Sequence, residues 1–142
     1  MPAVIVDANV LIAARLSRDQ NHDRGVAITQ AIDQGTLPTA YVLSDVLEEV
    51  INYLQARAGH DVATETLDAV IESSGFSLRR TTKSDFDTGR SLFRRYEPLS
   101  LTDAVIVAMM QREDIEYLYS FDDGFDSVSR ITRLTTPVNP FE

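Results

Sequence analysis

Short apolar runs alternate along this chain with longer stretches whose apolar residues recur every three or four positions. The first pattern reads as strand and the second as amphipathic helix. Strands are predicted at Ala3–Val6, Thr39–Val42, Phe76–Arg79, Tyr117–Phe121 and Ile131–Leu134. Helices are predicted near Asn9–Leu16, His22–Gln34, Asp45–Arg57, Asp61–Ser73, Ser84–Tyr96 and Thr102–Arg112. Gly35 with Pro38, Gly59, Gly75 and Pro98 supply the stops between them. Val46, Leu47, Val50, Ile51 and Leu54 line one face of the third helix, while Asp61, Glu65, Asp68 and Glu72 form a solvated face on the next. From Ala104 to Met110 the last helix is apolar all round and is therefore expected to be buried. Strands alternating with helices predict an α/β fold in three layers, with a mainly parallel central sheet of about five strands. No repeat, low-complexity tract or linker interrupts residues 1–142, so a single domain is expected.

Composition narrows the chemistry. There is no cysteine, which excludes disulfides, thiolate zinc sites and cysteine nucleophiles. His22 and His60 stand in polar surroundings and read as solvent-facing. No apolar run approaches the roughly 18 residues of a membrane span. The N-terminal apolar stretch is broken by Asp7 and preceded by no basic residue, unlike a signal peptide, so a cytoplasmic location is expected. The net charge of −9, with twelve arginines and one lysine, Lys83, disfavours a broad phosphate-binding surface. Salt adaptation would account for such acidity, which leaves function to be argued from local sites.

Four acids stand near predicted strand ends or helix starts: Asp7, Glu49, Asp103 and Asp122. Such junctions lie at the rim where open α/β sheets bind ligands. Carboxylates converging there would repel one another unless a cation sat among them, and oxygen ligands suit Mg²⁺ or Mn²⁺. Each acid also has a structural alternative. Asp7 is well placed to cap a helix. Asp45-x-x-Glu48 and Ser100-x-x-Asp103 both fit capping boxes, which would occupy Glu48 and leave Glu49 without a structural task. Helical projection places Glu48 and Glu49 on opposite flanks of the apolar stripe and does not choose between them. Asp122-Asp123-Gly124 fits a turn, and Asp126, one helical turn on, is a peripheral candidate.

In their order along the chain these motifs resemble the PIN-domain nucleases, especially the VapC-type toxins of toxin–antitoxin pairs. The resemblance rests on Val4-Ile5-Val6-Asp7-Ala8-Asn9-Val10-Leu11-Ile12, Val46-Leu47-Glu48-Glu49-Val50-Ile51-Asn52-Tyr53-Leu54, Leu99-Ser100-Leu101-Thr102-Asp103-Ala104-Val105-Ile106-Val107-Ala108 and Leu118-Tyr119-Ser120-Phe121-Asp122-Asp123-Gly124-Phe125. Ser120 stands where the family often has threonine. The resemblance selects Glu49 over Glu48 and Asp122 over Asp123. It implies a metal-dependent endoribonuclease in which Asp7, Glu49, Asp103 and Asp122 hold Mg²⁺ or Mn²⁺, with Asn9 and Ser120 orienting them and Asp126 peripheral. Arg15, Arg18, Arg94 and Arg95 are the expected RNA contacts. A small antitoxin partner and a homodimer are implied as well. The alternatives are a PIN nuclease of RNA processing or a catalytically silent PIN-like binding module. A phosphotransfer receiver or phosphatase fits poorly, because Asp7 has no acidic neighbour and the chain has a single lysine.

Overall fold

The computed structural model describes residues 2–142. The chain runs through β1 (Ala3–Val6), α1 (Ala8–Arg15), α2 (His22–Asp33), β2 (Thr39–Leu43), α3 (Ser44–Ala58) and α4 (His60–Glu72). It continues with β3 (Phe76–Arg79), α5 (Lys83–Arg95), α6 (Leu101–Arg112), β4 (Tyr117–Tyr119), a short 3₁₀ segment (Asp123–Ser127) and β5 (Thr132–Leu134). The strands form one sheet in the order β3-β2-β1-β4-β5, and every pairing is parallel. Chain order therefore steps outward from β1 to β2 and β3, then jumps back across to β4 and β5. Right-handed crossovers put α1–α4 on one face and α5–α6 on the other. The predicted three-layer α/β architecture is the one observed.

β1 is the central strand and is buried throughout its last three residues, as a strand covered on both faces must be. α6 supplies the apolar layer on its side, with an unbroken buried run from Asp103 to Met110. β1 also marks the place where the direction of winding reverses, with β2 on one side and β4 on the other. In sheets of this kind the crevice beyond the strand C-termini at that reversal is where ligands bind.

Where the elements differ from the predicted ones, the reasons are local. β4 stops at Tyr119 rather than Phe121: the Ser120 N–H still donates to the Leu134 carbonyl at 3.1 Å, but beyond it the N–H groups leave the ladder, Phe121 donating to Asn9 Oδ1 and Asp122 to Ser120 Oγ. β5 starts at Thr132 rather than Ile131, following Arg130 at a positive φ of 67°. α3 starts at Ser44 with Leu43 at its N-cap, so the predicted Asp45–Glu48 capping box does not form; Asp45 instead accepts a hydrogen bond from Thr81 at 2.9 Å. His60 is exposed, but His22 is half-buried and its Nδ1 donates to the Ala13 carbonyl at 2.8 Å, pinning α2 to α1. Among the described residues no helix is long and apolar enough to cross a membrane.

Candidate active site

Asp7 follows β1 directly and caps α1, with Oδ1 accepting from the Ala8 N–H at 2.8 Å. Its Oδ2 accepts from the Ser120 hydroxyl, also at 2.8 Å, across a sequence separation of 113 residues. Ser120 is fully buried and works in three directions. Its Oγ donates to Asp7 and accepts from the Asp122 N–H at 3.0 Å and from Asn9 Nδ2 at 3.4 Å. Asn9 completes the ring by accepting the Phe121 N–H at 3.1 Å. These bonds lock the start of α1 to the chain leaving β4. Asp122 is half-buried and caps the 3₁₀ segment through Oδ1, which accepts from the Gly124 N–H at 2.9 Å.

Asp103 arrives from the opposite layer. It lies in the first turn of the buried helix α6, where its N–H donates to Ser100 Oγ at 3.1 Å, so this predicted capping box is formed on the Ser side. Gly124 allows the two layers to meet at this rim. A Cβ there would stand 2.8 Å from the Pro98 carbonyl oxygen and 3.2 Å from Asp122 Oδ1, leaving no room for a side chain between the loop before α6 and the Asp122 turn.

The electrostatics identify this cluster more sharply than the hydrogen bonds do. Burial pushes Asp7 up to about 6, the bonds from Ser120 and Ala8 pull against it, and the charges of Asp122 and Glu49 add to the rise. Burial pushes Asp103 up to about 7, reinforced by the charges of Asp7 and Asp122 and opposed by Ser100. Three aspartates from three separate elements thus share one field, with Glu49 on the exposed side of α3 felt by Asp7. Oxygen-only donors of this kind suit a hard divalent cation. Among the described residues, however, no three acidic or histidine side chains already close on one point as a finished metal site.

Other predicted residues lie elsewhere. Asp126 turns to Arg133, which binds both its carboxylate oxygens at 3.0 Å and holds it below the usual carboxylate range. Arg15 is engaged with Glu65 at 2.9 Å, Arg95 lies over the Tyr96 ring at 5.1 Å, and Arg18 and Arg94 are exposed. Two arginines near the cluster escaped the sequence reading. Arg133 reaches it from β5, and Arg24 from α2 sits 5.3 Å over the ring of Phe121. The only sequence signal for Arg133 was a charge inside a short strand, which does not name a partner.

A PIN domain matches residues 4–131, nearly the whole of this arrangement. The chain belongs to the PIN-domain family. This PIN domain is similar to ribonuclease VapC13 of Mycobacterium tuberculosis, with 34% identity over 93 residues that make up 64% of this chain and 69% of that protein. Its fold is similar to that of M. tuberculosis VapC20, described as a sarcin-ricin loop cleaving toxin. There the TM-score is 0.76 at 20% identity, covering 96% of this chain and 99% of that one. It is similar also to a chain of a toxin–antitoxin complex from Klebsiella pneumoniae, with a TM-score of 0.63 at 20% identity, covering 96% and 98% of the two chains. At that identity the two structural likenesses concern the fold.

Proposed function

We propose that this PIN domain is a metal-dependent endoribonuclease that hydrolyses RNA phosphodiester bonds, and that it is the toxin of a toxin–antitoxin pair. One observation carries the reading. Asp7, Asp103 and Asp122 stand within one another's electrostatic reach at the sheet's winding reversal, and burial and mutual repulsion raise two of them. Such an arrangement is costly for the fold alone and is the kind of perturbation that marks functional sites. The similarity to a protein named ribonuclease VapC13 supports the chemistry, and the likeness to a chain of a toxin–antitoxin complex supports a small antitoxin as partner.

In this reading Asp7, Glu49, Asp103 and Asp122 would hold one or two Mg²⁺ or Mn²⁺ ions. A bound ion would supply Lewis-acid stabilisation of charge on the phosphodiester and make water at the site more acidic. The chain's own residues prepare the place. Ser120 and Ala8 fix the two oxygens of Asp7, and Asn9 fixes Ser120, so the carboxylate cannot swing away as charge accumulates. The start of α6 presents its positive dipole end to Asp103 and favours the ionised form. Glu49, exposed on α3 and felt by Asp7, would complete the set from the solvent side. Arg18 and Arg94, exposed, and Arg15 and Arg95, each already engaged, are the proposed RNA contacts, with a homodimer as the expected assembly.

The test is cleavage of structured RNAs in Mg²⁺ or Mn²⁺ by wild type, Asp7→Asn, Asp103→Asn, Glu48→Gln and Glu49→Gln. The expected result is loss of cleavage in every variant except Glu48→Gln. Cleavage that survives in both aspartate variants, or is absent from wild type with every RNA and metal, overturns the proposal.

A further inference from the structure

Arg133 is the one basic side chain hydrogen-bonded to the segment that carries Asp122, among the described residues. It projects from the edge strand β5, and its side chain is only 18% exposed. Nε and Nη2 form a fork on the two oxygens of Asp126 at 3.0 Å each. The remaining nitrogen, Nη1, donates to the Ser120 carbonyl at 3.3 Å. Ser120 precedes Asp122 and Asp126 follows it, so a single guanidinium holds both sides of the turn on which Asp122 sits. Within that turn Asp122 is also tied to Gly124 and, through its N–H, to Ser120.

We propose that Arg133 is a positioning residue: it staples residues 120–126 so that Asp122 stays in register with Asp7 and Asp103, and thereby sets the affinity of the site for a divalent cation. The inference rests on the metal-dependent reading above. The alternative is that Arg133 acts only as a nearby charge, and the two roles predict opposite signs. A positive charge beside the acids repels an incoming cation, so removing it would tighten binding if charge were its only effect. Loss of a supporting fork lets the turn drift and weakens binding. The fork also matters by shape, since a lysine keeps the charge but cannot make two parallel bonds to Asp126 while reaching the Ser120 carbonyl.

The experiment is calorimetric titration of Mn²⁺ into the metal-free 142-residue chain, comparing wild type with Arg133→Ala, Arg133→Lys, Asp126→Asn and Asp122→Asn. Thermal melts of the same samples report the folded fraction. The expected result is a dissociation constant raised about 10-fold in both Arg133 variants, alike despite the charge that lysine retains, and less in Asp126→Asn. In cleavage assays the Mn²⁺ concentration for half-maximal rate rises by the same factor, and kcat at saturating Mn²⁺ recovers. If Arg133→Ala does not fold, Arg133→Lys and Asp126→Asn carry the same comparison. Unchanged or tighter Mn²⁺ binding in the folded variants overturns the positioning role while leaving the metal site intact. A wild-type protein that binds no Mn²⁺ overturns the metal reading and this inference together.

Discussion

Asp85 and Asp7 are buried to similar depth, 2% and 5% exposed, and meet opposite surroundings. Asp85, in the first turn of α5, receives two hydrogen bonds of 2.8 Å from the guanidinium of Arg112 on α6. Asp7 receives neutral donors from Ser120 and Ala8, and its charged neighbours are other acids. Burial alone therefore does not separate a carboxylate that serves cohesion from one of the candidate site. The partner does. Where the fold needs an acid for cohesion it supplies a cation from the neighbouring helix, as between α5 and α6. At the rim the acids are left repelling one another.

The contrast can be broken by experiment. The largest expected effect is on activity: Asp7→Asn or Asp103→Asn should cut RNA cleavage by more than about 100-fold, beyond what loss of a supporting residue costs at a metal site. The same substitutions should leave the metal-free protein at pH 8 at least as stable as wild type, read from thermal melts. A loss of both activity and stability would make these aspartates structural like Asp85. Next comes Arg112→Ala, which strands Asp85. Breaking a fully buried pair costs about 3–5 kcal/mol, but Arg112 is 42% exposed, so a loss of about 2–3 kcal/mol is expected. Calorimetry should show a melting temperature roughly 6–9 °C lower, with cleavage at 20 °C retained. A shift below about 2 °C would mean the pair contributes little cohesion.

Ser120→Ala should act in both categories at smaller scale, losing about 1 kcal/mol of stability and about 10-fold in cleavage. Finally, Asp7 and Asp103 are raised in the folded state, so that state holds extra protons between the ordinary aspartate range near pH 4 and about pH 7. The folded protein without metal should accordingly be most stable at the acid end of that window and lose stability as pH rises through it. Asp103→Asn should flatten the slope in melts taken at pH 5, 6, 7 and 8. An unchanged slope would show that Asp103 does not titrate as its burial demands.

Most of the architecture could be read from periodicity, because the strands are short apolar runs and the helices carry clear stripes. β1 and β3 were predicted to the residue. What sequence could not supply was partner choice. Asp45-x-x-Glu48 satisfied the spacing of a capping box, yet α3 begins one residue early and Asp45 bonds to Thr81, a contact made by tertiary approach. Asp126 stood one helical turn from Asp122 and looked available, but a guanidinium from β5 claims it. Asp85 and Arg112 lie 27 residues apart with no periodic relation, and only the packing of α5 on α6 brings them together. Asp7, Asp103 and Asp122 were legible because each sits where a strand has ended or a helix begins, and in a parallel sheet those junctions fall on one edge.

The bond from Ser120 to Asp7 has a consequence for the order of assembly during synthesis. β1 emerges first and pairs early with β2, but its other neighbour, β4, is made more than a hundred residues later. Until residues 117–134 have left the ribosome, Asp7 lacks Ser120, Asp122 does not exist, and the turn that carries it has no Arg133 to close it. Long-range closure of this kind is slow relative to helix formation. On the proposed reading, a nascent chain arrested at residue 116 should therefore bind no Mn²⁺, and the site would stay incomplete while the ribosome is still making the chain.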